Sequence, residues 1–377
     1  MSIFMSSGEA SGDHYISSLI LALKEAGYDG ELWGVGGIEA ENTGLNIYWK
    51  GDSLQLMGIA EVITSIPALF RLANDIVKKI MEKLPEAVIV VDSPDFHLPL
   101  IKKIRKAGYK GKIFLISPPT VWAWRSYRIK TLKKYVDMCL PIFKFENEYL
   151  QAHNCKSSWI GTPLLEDFYN DEQRRDSSET IENDGKIVAF LPGSRKSEIK
   201  ELLPIMEEAA EEIASKGWTP IFSVAPGLNR NARKKMIKYL KEKKINYYEG
   251  SGKDLMKVAQ CAIVASGTIT VEALIIGCYL IVTYKTSKIT AFLIRLILKI
   301  KYAAMTNILL QRELYPELLQ ENATKENIVT KTFEWLYSDE NKKAAITNQM
   351  NEARLLLGKT EVYKFWANKI LEELANA

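Results

Sequence analysis

Cysteine and histidine are both scarce in this sequence of 377 residues, which contains four cysteines and three histidines. The cysteines form no Cys-x-x-Cys pair, and the histidines lack the spacing of metal ligands. The sequence therefore predicts neither a zinc site nor a disulfide framework. We interpret the cysteines as free thiols in a reducing compartment and the histidines as hydrogen-bonded polar residues: Cys139, Cys155, Cys261 and Cys278; His14, His97 and His153.

Long apolar runs and a strong charge excess are also lacking. No charge-free apolar run reaches the roughly 18 residues that a membrane span needs, and the amino terminus has neither the basic nor the apolar region of a secretory signal. Fifty Lys and Arg against 46 Asp and Glu leave a net charge of +4, which is too small to predict nucleic-acid binding. We expect a cytoplasmic protein that lies, at most, on a membrane surface.

Short apolar runs alternate with amphipathic segments along the chain. In the first half, strands are predicted at 3–5, 31–35, 87–91 and 112–116, and helices at 12–26, 66–84 and 99–107. In the second half, strands at 187–191, 220–224, 262–265 and 279–283 alternate with helices at 199–214, 230–243 and 269–276. This alternation predicts an α/β fold of two Rossmann-like domains, each with a parallel sheet covered by helices.

A polar segment separates the two series. Residues 169–186 have few aliphatic side chains, and we interpret them as an interdomain linker or an exposed loop. The predicted domains are residues 1–168 and 185–325, followed by a helical tail over 326–377 that packs on the first domain or on a partner chain. Open α/β sheets bind ligands at the carboxyl ends of their strands. Two such domains facing each other predict a cleft lined by those loops.

The first loop that follows a strand is Gly8-Glu9-Ala10-Ser11-Gly12-Asp13. Its glycines allow a ligand to approach the backbone closely, and a simple turn does not need the Glu9 carboxylate. We select Glu9 as a catalytic candidate and Ser11, Gly12 and Asp13 as substrate-binding candidates. The alternative is a strand-to-helix turn in which Ser11 or Asp13 caps the helix.

A second loop places Asp92 and Asp95 after a buried strand, in Asp92-Ser93-Pro94-Asp95-Phe96. One of these carboxylates could act as a general base, with its pKa raised by the other and by partial burial. The alternative is that Asp92 caps a turn and Pro94 stiffens it. Two carboxylates without further ligands nearby are weak grounds for a metal site.

Two loops in the second half are suited to an anion. In Leu191-Pro192-Gly193-Ser194-Arg195-Lys196-Ser197-Glu198-Ile199 a glycine turn leads into a helix whose free amides, with Arg195, favour phosphate. Ser266-Gly267-Thr268 precede another helix, and Glu272 follows one turn later, where it could accept hydrogen bonds from ribose hydroxyls. Each loop alone could be an ordinary capped turn. Together they predict a diphosphate held between two helix N-termini, by Gly193, Ser194, Arg195, Ser266, Gly267 and Thr268.

The order of these motifs resembles that of the lipid-A-disaccharide synthase family over about residues 3 to 325. The matching segments of the first half are Ser7 to Asp13, Gly34-Val35-Gly36-Gly37, Met57 to Val62, Asp92 to Phe96, Ser117 to Arg125 and Phe143 to Glu146. Those of the second half are Leu191 to Ile199, Ser266 to Glu272, Thr306 to Leu309 and Pro316 to Gln320. The sequence departs from the family at Thr162, where His is common, and at Lys144, where Pro is usual.

The resemblance implies an inverting glycosyltransferase of GT-B fold that needs no cofactor or metal. Such an enzyme joins UDP-2,3-diacylglucosamine to 2,3-diacylglucosamine 1-phosphate (lipid X) at the inner face of the cytoplasmic membrane. The first domain would then hold the acceptor and face the membrane, and the second would hold the UDP-sugar. The resemblance also places Asn307 and Gln320 near the donor, with Glu272 toward the ribose.

This chemistry assigns expected roles to the candidates. We favour Asp95 over Asp92 as the base that deprotonates the acceptor hydroxyl, with Glu9 as the rival, and expect Arg195 to stabilise the leaving diphosphate. Another GT-B enzyme acting on a UDP-sugar, such as a 2-epimerase or a transferase with a soluble acceptor, is the nearest alternative. A non-catalytic nucleotide-sugar-binding or membrane-scaffold protein is the more distant one.

Two basic amphipathic segments, residues 287–305 and 57–84, are candidates for contact with the membrane. Both could instead be ordinary helices that face the core. The sequence predicts no nucleic-acid partner and is compatible with a homodimer.

Overall fold

The computed structural model describes residues 1–51, 54, 59–174, 185–225, 228, 230–287 and 301–376, with only the backbone for 59–66, 196 and 197. The chain divides into two units. Unit 1 consists of Met1–Glu166 together with Leu357–Ala377, and unit 2 consists of Asp167–Leu356. Each unit contains its own parallel sheet.

The sheet of unit 1 has the strand order β3-β2-β1-β4-β5-β6. Its strands are β1 Ser2–Ser7, β2 Glu31–Gly36, β3 Asn46–Lys50, β4 Ala87–Val91, β5 Lys112–Ile116 and β6 Met138–Leu140. The chain starts in the middle of the sheet, winds to one edge, and returns to build the other half. Every residue of β4 is buried, because helices cover both faces of a parallel sheet of this kind. β1 and β4 are neighbours at the point where the winding direction reverses.

The helices of unit 1 lie on both faces of this sheet. They are α1 Ala10–Glu25, α2 Ile38–Thr43, α3 Ile59–Lys83, α4 Pro94–Lys106, α5 Ile129–Tyr135 and α6 Lys144–Ala152. One core contains α1 and the carboxy-terminal segment, where Tyr15 packs edge-on against Trp366 with ring centroids 6.0 Å apart. The other core contains α3 and α4, whose Ile76, Ile80 and Ile101 are fully buried.

The sheet of unit 2 repeats this arrangement in the order β12-β11-β10-β7-β8-β9. Its strands are β7 Ile187–Leu191, β8 Thr219–Ser223, β9 Tyr247–Tyr248, β10 Cys261–Ala265, β11 Leu280–Tyr284 and β12 Glu317–Leu319. The first strand again lies in the middle, and the winding direction reverses between β7 and β10. The sequence-based expectation of two parallel α/β sheets is confirmed.

The remaining helices complete unit 2 and return the chain to unit 1. They are α7 Pro163–Arg174, α8 Lys196–Ser215, α9 Arg230–Glu242, α10 Gly252–Val258, α11 Ile269–Ile276, α12 Met305–Leu310, α13 Lys325–Leu336, α14 Glu340–Leu355 and α15 Val362–Ala375. The segment predicted as one tail over 326–377 is divided between the units: α13 packs against α8 in unit 2, and α15 packs against α1 in unit 1.

The linker interpretation of residues 169–186 is wrong for its first part. Residues 169–174 are the end of α7, and residues 175–184 lie outside the described part of the chain. The polar side chains of α7 are held by ion pairs to α10, from Asp171 to Lys253 at 2.8 Å and from Glu172 to Lys257. These pairs explain how a segment with few aliphatic residues forms an ordered helix.

Some helix starts also differ from the prediction. α4 begins at Pro94 rather than at residue 99, because a proline at the first helical position costs no hydrogen bond and has a helical φ already. α3 begins at Ile59 rather than at residue 66. Among the helices in the described part of the chain, none is long and apolar enough to cross a membrane.

Candidate active site

A cavity of about 290 Å³ lies in unit 2 at the carboxyl ends of β7 and β10. The two strands are adjacent, with Leu191 paired to Val264, so the loops that follow them meet at the edge of the sheet. This is the point where open α/β sheets bind ligands. The cavity is lined by residues of both predicted turns: Gly193, Ser194, Arg195, Ser266, Gly267 and Thr268.

Glycine is required at 193 by the way α8 begins. Gly193 has a left-handed φ of +106°, and a Cβ atom there would collide with the Glu198 carboxylate. Glu198 Oε2 accepts a hydrogen bond from the Arg195 amide at 3.4 Å, so this carboxylate caps its own helix. The Arg195 side chain remains 73% exposed, and its one ion pair among the described residues is a long contact of 3.5 Å to Glu198. It is therefore available to an anion in the cavity.

The turn before α11 is built differently. The Ser266 hydroxyl donates to the carbonyl of Ala303 at 3.0 Å, so its proton is used within the protein. Gly267 has open space where a Cβ would stand, and Thr268 is exposed. The backbone around Gly267 and Thr268 is the part of this turn that a ligand can reach.

Glu272 lies one turn into α11 and is not part of the cavity lining. Burial raises the pKa of its carboxyl, the nearby Lys253 lowers it, and Asp167 and Asp171 raise it further. Burial alone would lower the pKa of Lys253, but its hydrogen bond to Asp171 and the surrounding carboxylates outweigh burial and raise it. Lys253 follows Gly252, which does line the cavity. Glu272 thus belongs to a charged cluster beside the cavity.

Asn307, which the resemblance places near the donor, has its side chain engaged within unit 2. It is fully buried, and its Oδ1 accepts from the amides of Leu314 and Tyr315 at 2.8 and 3.0 Å. Its Nδ2 donates to the Tyr315 carbonyl and to Glu317, both at 2.8 Å. The Asn307 side chain therefore positions the backbone near the site, and its place among the residues that bind the donor stays a prediction.

Glu317 is the residue that sequence reasoning missed here. Its carboxylate accepts from the amides of Ala303 and Ala304 at 2.8 and 2.9 Å, in addition to Asn307. Ala303 is also the acceptor for Ser266, so this network fixes one wall of the cavity. Gln320 has a comparable role, because its Oε1 accepts from the amide of Thr286 at 3.3 Å. The signal in the sequence that could have identified Glu317 was the presence of a carboxylate within the matching segment Pro316 to Gln320.

In unit 1 the two carboxylate-bearing loops also meet. Ser7 is paired with Val91 at the ends of β1 and β4, and a Cβ atom on Gly8 would collide with the Ser93 hydroxyl. Glu9 and Ser11 are exposed on this edge, and the Glu9 side chain makes no capping hydrogen bond. Gly12 is buried, and a Cβ there would come within 3.1 Å of Ser7.

Asp13 has a structural contact that was not predicted. It is buried, and its two oxygens accept hydrogen bonds from the amides of Gly37 at 2.6 Å and Glu39 at 3.1 Å. These amides belong to the start of α2, so Asp13 caps α2 rather than its own helix, α1. The contact joins the loop after β1 to the loop after β2, and substrate binding by Asp13 stays a prediction.

The loop after β4 is strained at both of its first residues. Asp92 and Ser93 have left-handed φ angles of 60° and 44°, a conformation that costs about 1–2 kcal/mol for a residue with a Cβ. His97 stabilises this turn: its Nδ1 donates to the Asp92 carbonyl at 2.7 Å, and its Nε2 accepts from the Ser6 hydroxyl at 2.8 Å. Burial lowers the pKa of the His97 imidazole to about 4.

Asp95 lies in the first turn of α4 and is paired with two arginines. Its Oδ1 accepts from Arg125 Nη1 at 2.7 Å and from Arg128 Nη2. The guanidinium of Arg125 stacks on Trp124, 4.1 Å from the ring centroid. Sequence reasoning did not foresee these partners, because they come from a loop after a different strand, β5.

Glu146 is a buried carboxyl in the same unit. Its Oε1 accepts from the Trp122 indole at 3.1 Å, and burial raises its pKa to about 7 despite the hydrogen bonds that favour the charged form. The contact ties α6 to the loop that carries Arg125 and Arg128. Thr162, where the resembled family commonly has His, is fully buried with its hydroxyl unpartnered among the described residues.

The buried imidazole makes the stability of the protein depend on pH. Well above its ordinary pKa of 6.5, His97 is neutral in both the folded and the unfolded chain. As the pH falls from 6.5 to about 4, the unfolded chain takes up the proton before the folded one, so His97 lowers the free energy of unfolding by about 3 kcal/mol. We expect His97→Asn to lose this dependence, as measured by denaturant unfolding at several pH values.

Glu146 changes the free energy of unfolding with pH in the opposite direction to His97, and it therefore provides the control. Its folded pKa of about 7 exceeds the ordinary 4.5, so its contribution is full below 4.5 and is lost as the pH rises through 7. Because the two slopes oppose each other in the wild type, Glu146→Gln should make the acid loss of stability steeper. Identical pH slopes for His97→Asn and the wild type would contradict the assignment of a neutral, buried His97.

Relatives with known names match nearly the whole chain. The lipid-A-disaccharide synthase of Alcanivorax borkumensis is 32% identical over 343 residues, covering 89% of this chain and 88% of that protein. The enzyme of the same name from Francisella philomiragia is 33% identical over 339 residues, covering 87% of this chain and 88% of that protein.

Solved structures resemble the chain in fold alone. The UDP-GlcNAc 2-epimerase from Neisseria meningitidis, bound to UDP-GlcNAc, has a TM-score of 0.63 at 13% identity, covering 99% of this chain and 100% of that one. A trehalose-6-phosphate synthase structure has a TM-score of 0.56 at 11% identity, covering 100% of this chain and 99% of that one. These likenesses, with the paired six-stranded sheets, show the GT-B fold.

The family profile described as lipid-A-disaccharide synthetase matches residues 3–370. This range includes both sheets, the cavity between β7 and β10, and the loops that carry Asp92, Asp95 and Arg195. The full-length relatives and the profile agree, and the chain belongs to the lipid-A-disaccharide synthetase family.

Proposed function

We propose that this chain transfers 2,3-diacylglucosamine from UDP to the 6-hydroxyl of 2,3-diacylglucosamine 1-phosphate, forming a β-1,6-linked disaccharide 1-phosphate and UDP. One observation carries the proposal: in a member of this family, the two turns predicted to hold a diphosphate line one cavity of unit 2. The chain is thus a glycosyltransferase that uses a UDP-sugar.

The donor diphosphate would lie in this cavity. The amides at the starts of α8 and α11 face it with the positive ends of the helix dipoles, which favours an anion. Arg195 is exposed, and within the described part of the chain it forms one long ion pair, to Glu198, so it can turn toward the phosphates. These groups would stabilise the negative charge that UDP gains as the glycosidic bond breaks.

The acceptor hydroxyl would be deprotonated in unit 1. Oxygen O6 of the acceptor attacks the anomeric carbon, the bond from that carbon to the β-phosphate oxygen breaks, and its electron pair leaves with UDP. The proton of O6 passes to Asp95, whose Oδ1 is held by two arginines and whose Oδ2 has no hydrogen bond among the described residues. Asp92 and Glu9 remain the rival bases.

The bilayer is the source of both acylated substrates in this proposal, so the protein would bind at its surface. α3 exposes Phe70 with Lys103 stacked on the ring at 4.9 Å, a pairing of apolar and basic groups suited to lipid headgroups. Most of the other candidate segment, residues 287–305, lies outside the described residues. A homodimer stays a prediction.

Incubation with UDP-2,3-diacylglucosamine and 2,3-diacylglucosamine 1-phosphate should give a product with the mass of a tetraacyl disaccharide 1-phosphate and an equal amount of UDP, measured by mass spectrometry. UDP-GlcNAc offered alone is the control for a 2-epimerase. Conversion of UDP-GlcNAc to its epimer, with no disaccharide from the acylated pair, would overturn the proposal.

Substitution of the two charged candidates should separate chemistry from donor binding. Asp95→Asn should lower kcat on the order of 10²–10⁴-fold and leave the Kd for UDP unchanged, because its contacts lie in unit 1. Arg195→Ala should lower kcat on the order of 10²–10³-fold and should also raise the Kd for UDP. Asp92→Asn is the matched control, and a larger loss of kcat in this variant than in Asp95→Asn would assign the base to Asp92.

Membrane contact is tested by cosedimentation with anionic phospholipid vesicles. Phe70→Glu should reduce the bound fraction several-fold, because it puts a carboxylate into an apolar and anionic surface. Tyr337→Glu is the control, since Tyr337 is an aromatic residue of unit 2 that is exposed to a similar extent, 67% against 57% for Phe70. Leu296→Glu with Ile300→Glu tests the second segment, and unchanged cosedimentation of all these variants would contradict a membrane role for either segment.

A further inference from the structure

The arginines beside Asp95 carry more positive charge than this carboxylate neutralises. Arg125 and Arg128 both donate to the same oxygen, Asp95 Oδ1. Among the described residues, neither arginine forms an ion pair with a second carboxylate. The Asp95 side chain is 59% exposed and that of Arg125 is 36% exposed, so these two groups are open to solvent at the carboxyl edge of the sheet. The Arg128 side chain lies beneath them and is 9% exposed. One positive charge is left over there.

Most of the donors on these arginines are also unused. A guanidinium has five N–H groups in a planar fork, and each of the two arginines uses one side-chain N–H on Asp95 within the described part of the chain. Trp124 lies 4.1 Å from the guanidinium of Arg125 and 5.9 Å from that of Arg128. The stacked ring fixes the plane of Arg125, and a guanidinium fork held in this way matches the oxygens of a phosphate.

We infer that Arg125 and Arg128 bind the phosphomonoester of the acceptor sugar while they hold Asp95 against its hydroxyl. The inference rests on the proposed function, which supplies an acceptor phosphorylated on C1. In a pyranose the carbons C1 and C5 flank the ring oxygen, so a phosphate on C1 and the hydroxyl on C6 lie along one edge of the sugar. An arginine pair next to the base can therefore meet the phosphate as the hydroxyl meets Asp95 Oδ2.

Binding of the acceptor phosphate by the arginines can be distinguished from a purely structural role by comparing acceptors with and without the phosphate. If the arginines only orient Asp95, their loss should impair every acceptor equally. If they also bind phosphate, their loss should matter most for the phosphorylated acceptor. The acceptor without its phosphate would already lack the contact, so removing the arginine would cost it less.

The experiment compares two acceptors, 2,3-diacylglucosamine 1-phosphate and 2,3-diacylglucosamine, with a constant UDP-2,3-diacylglucosamine donor. In the wild type, loss of the phosphate should lower kcat/KM at least tenfold. In Arg125→Gln this discrimination should fall below threefold, mainly through a higher KM for the phosphorylated acceptor, while the KM for the donor stays constant. Arg125→Lys should restore part of the discrimination, because it keeps the charge without the fork.

Arg233→Gln is the matched control, because Arg233 is 37% exposed and is also ion-paired to one carboxylate, Glu249. It should keep the wild-type discrimination. A variant that loses the same factor on both acceptors and keeps the tenfold preference would overturn the phosphate contact and leave the arginines only their hold on Asp95. Circular dichroism and thermal unfolding check that Arg125→Gln is folded.

A second measurement does not depend on turnover. Glucosamine 1-phosphate should bind the wild type more tightly than glucosamine in calorimetry, and Arg125→Gln should abolish the difference. Failure of the wild type to form disaccharide from either acceptor would contradict the proposed function. If the wild type forms the disaccharide but binds glucosamine 1-phosphate and glucosamine equally well, only the inference about the arginines would be contradicted.

Discussion

Parallel pairing at the centre of each sheet is the constraint on which the site depends. β1 pairs with β4, and β7 pairs with β10, at the positions where the winding direction reverses. Helices after adjacent strands then diverge to opposite faces, and the loops between strand and helix are left open at one edge. Residues far apart in sequence, such as Ser194 and Gly267, consequently line one cavity. No local preference of either loop could place them together without this strand pairing.

Buried and half-buried polar side chains behind these loops hold them in shape. His97 and Ser6 fix the strained turn at Asp92 in unit 1, and Glu317 with Asn307 fixes the segment that supports Ser266 in unit 2. A buried polar group that is fully hydrogen-bonded specifies one arrangement, because leaving any member unpaired costs about 1–3 kcal/mol. The groups at the same edges, Glu9 and Arg195, are exposed and remain able to contact a ligand.

The sequence was sufficient for the sheets and for the two turns that line one cavity of unit 2, because buried strands and glycine-rich turns leave local patterns. It was insufficient where a contact joins distant segments. Asp13 was expected to cap its own helix, α1, or to bind substrate, yet its partners are the amides of Gly37 and Glu39. The resemblance placed Asn307 near the donor, but only the fold shows that its side-chain amide is hydrogen-bonded within the protein. Short elements such as α2 and β3 were missed because they span too few residues to show a period.

The arginine pair illustrates why such contacts matter for chemistry. A carboxylate that must accept a proton needs a fixed orientation, but strong pairing also stabilises its charged form and opposes proton transfer. In this protein both arginines meet Oδ1 of Asp95 and leave Oδ2 without a hydrogen bond among the described residues. An acceptor phosphate on the same arginines would draw positive charge away from Asp95. In the proposed function, a phosphate held by the arginines that orient Asp95 would couple the chemical step to the presence of the acceptor.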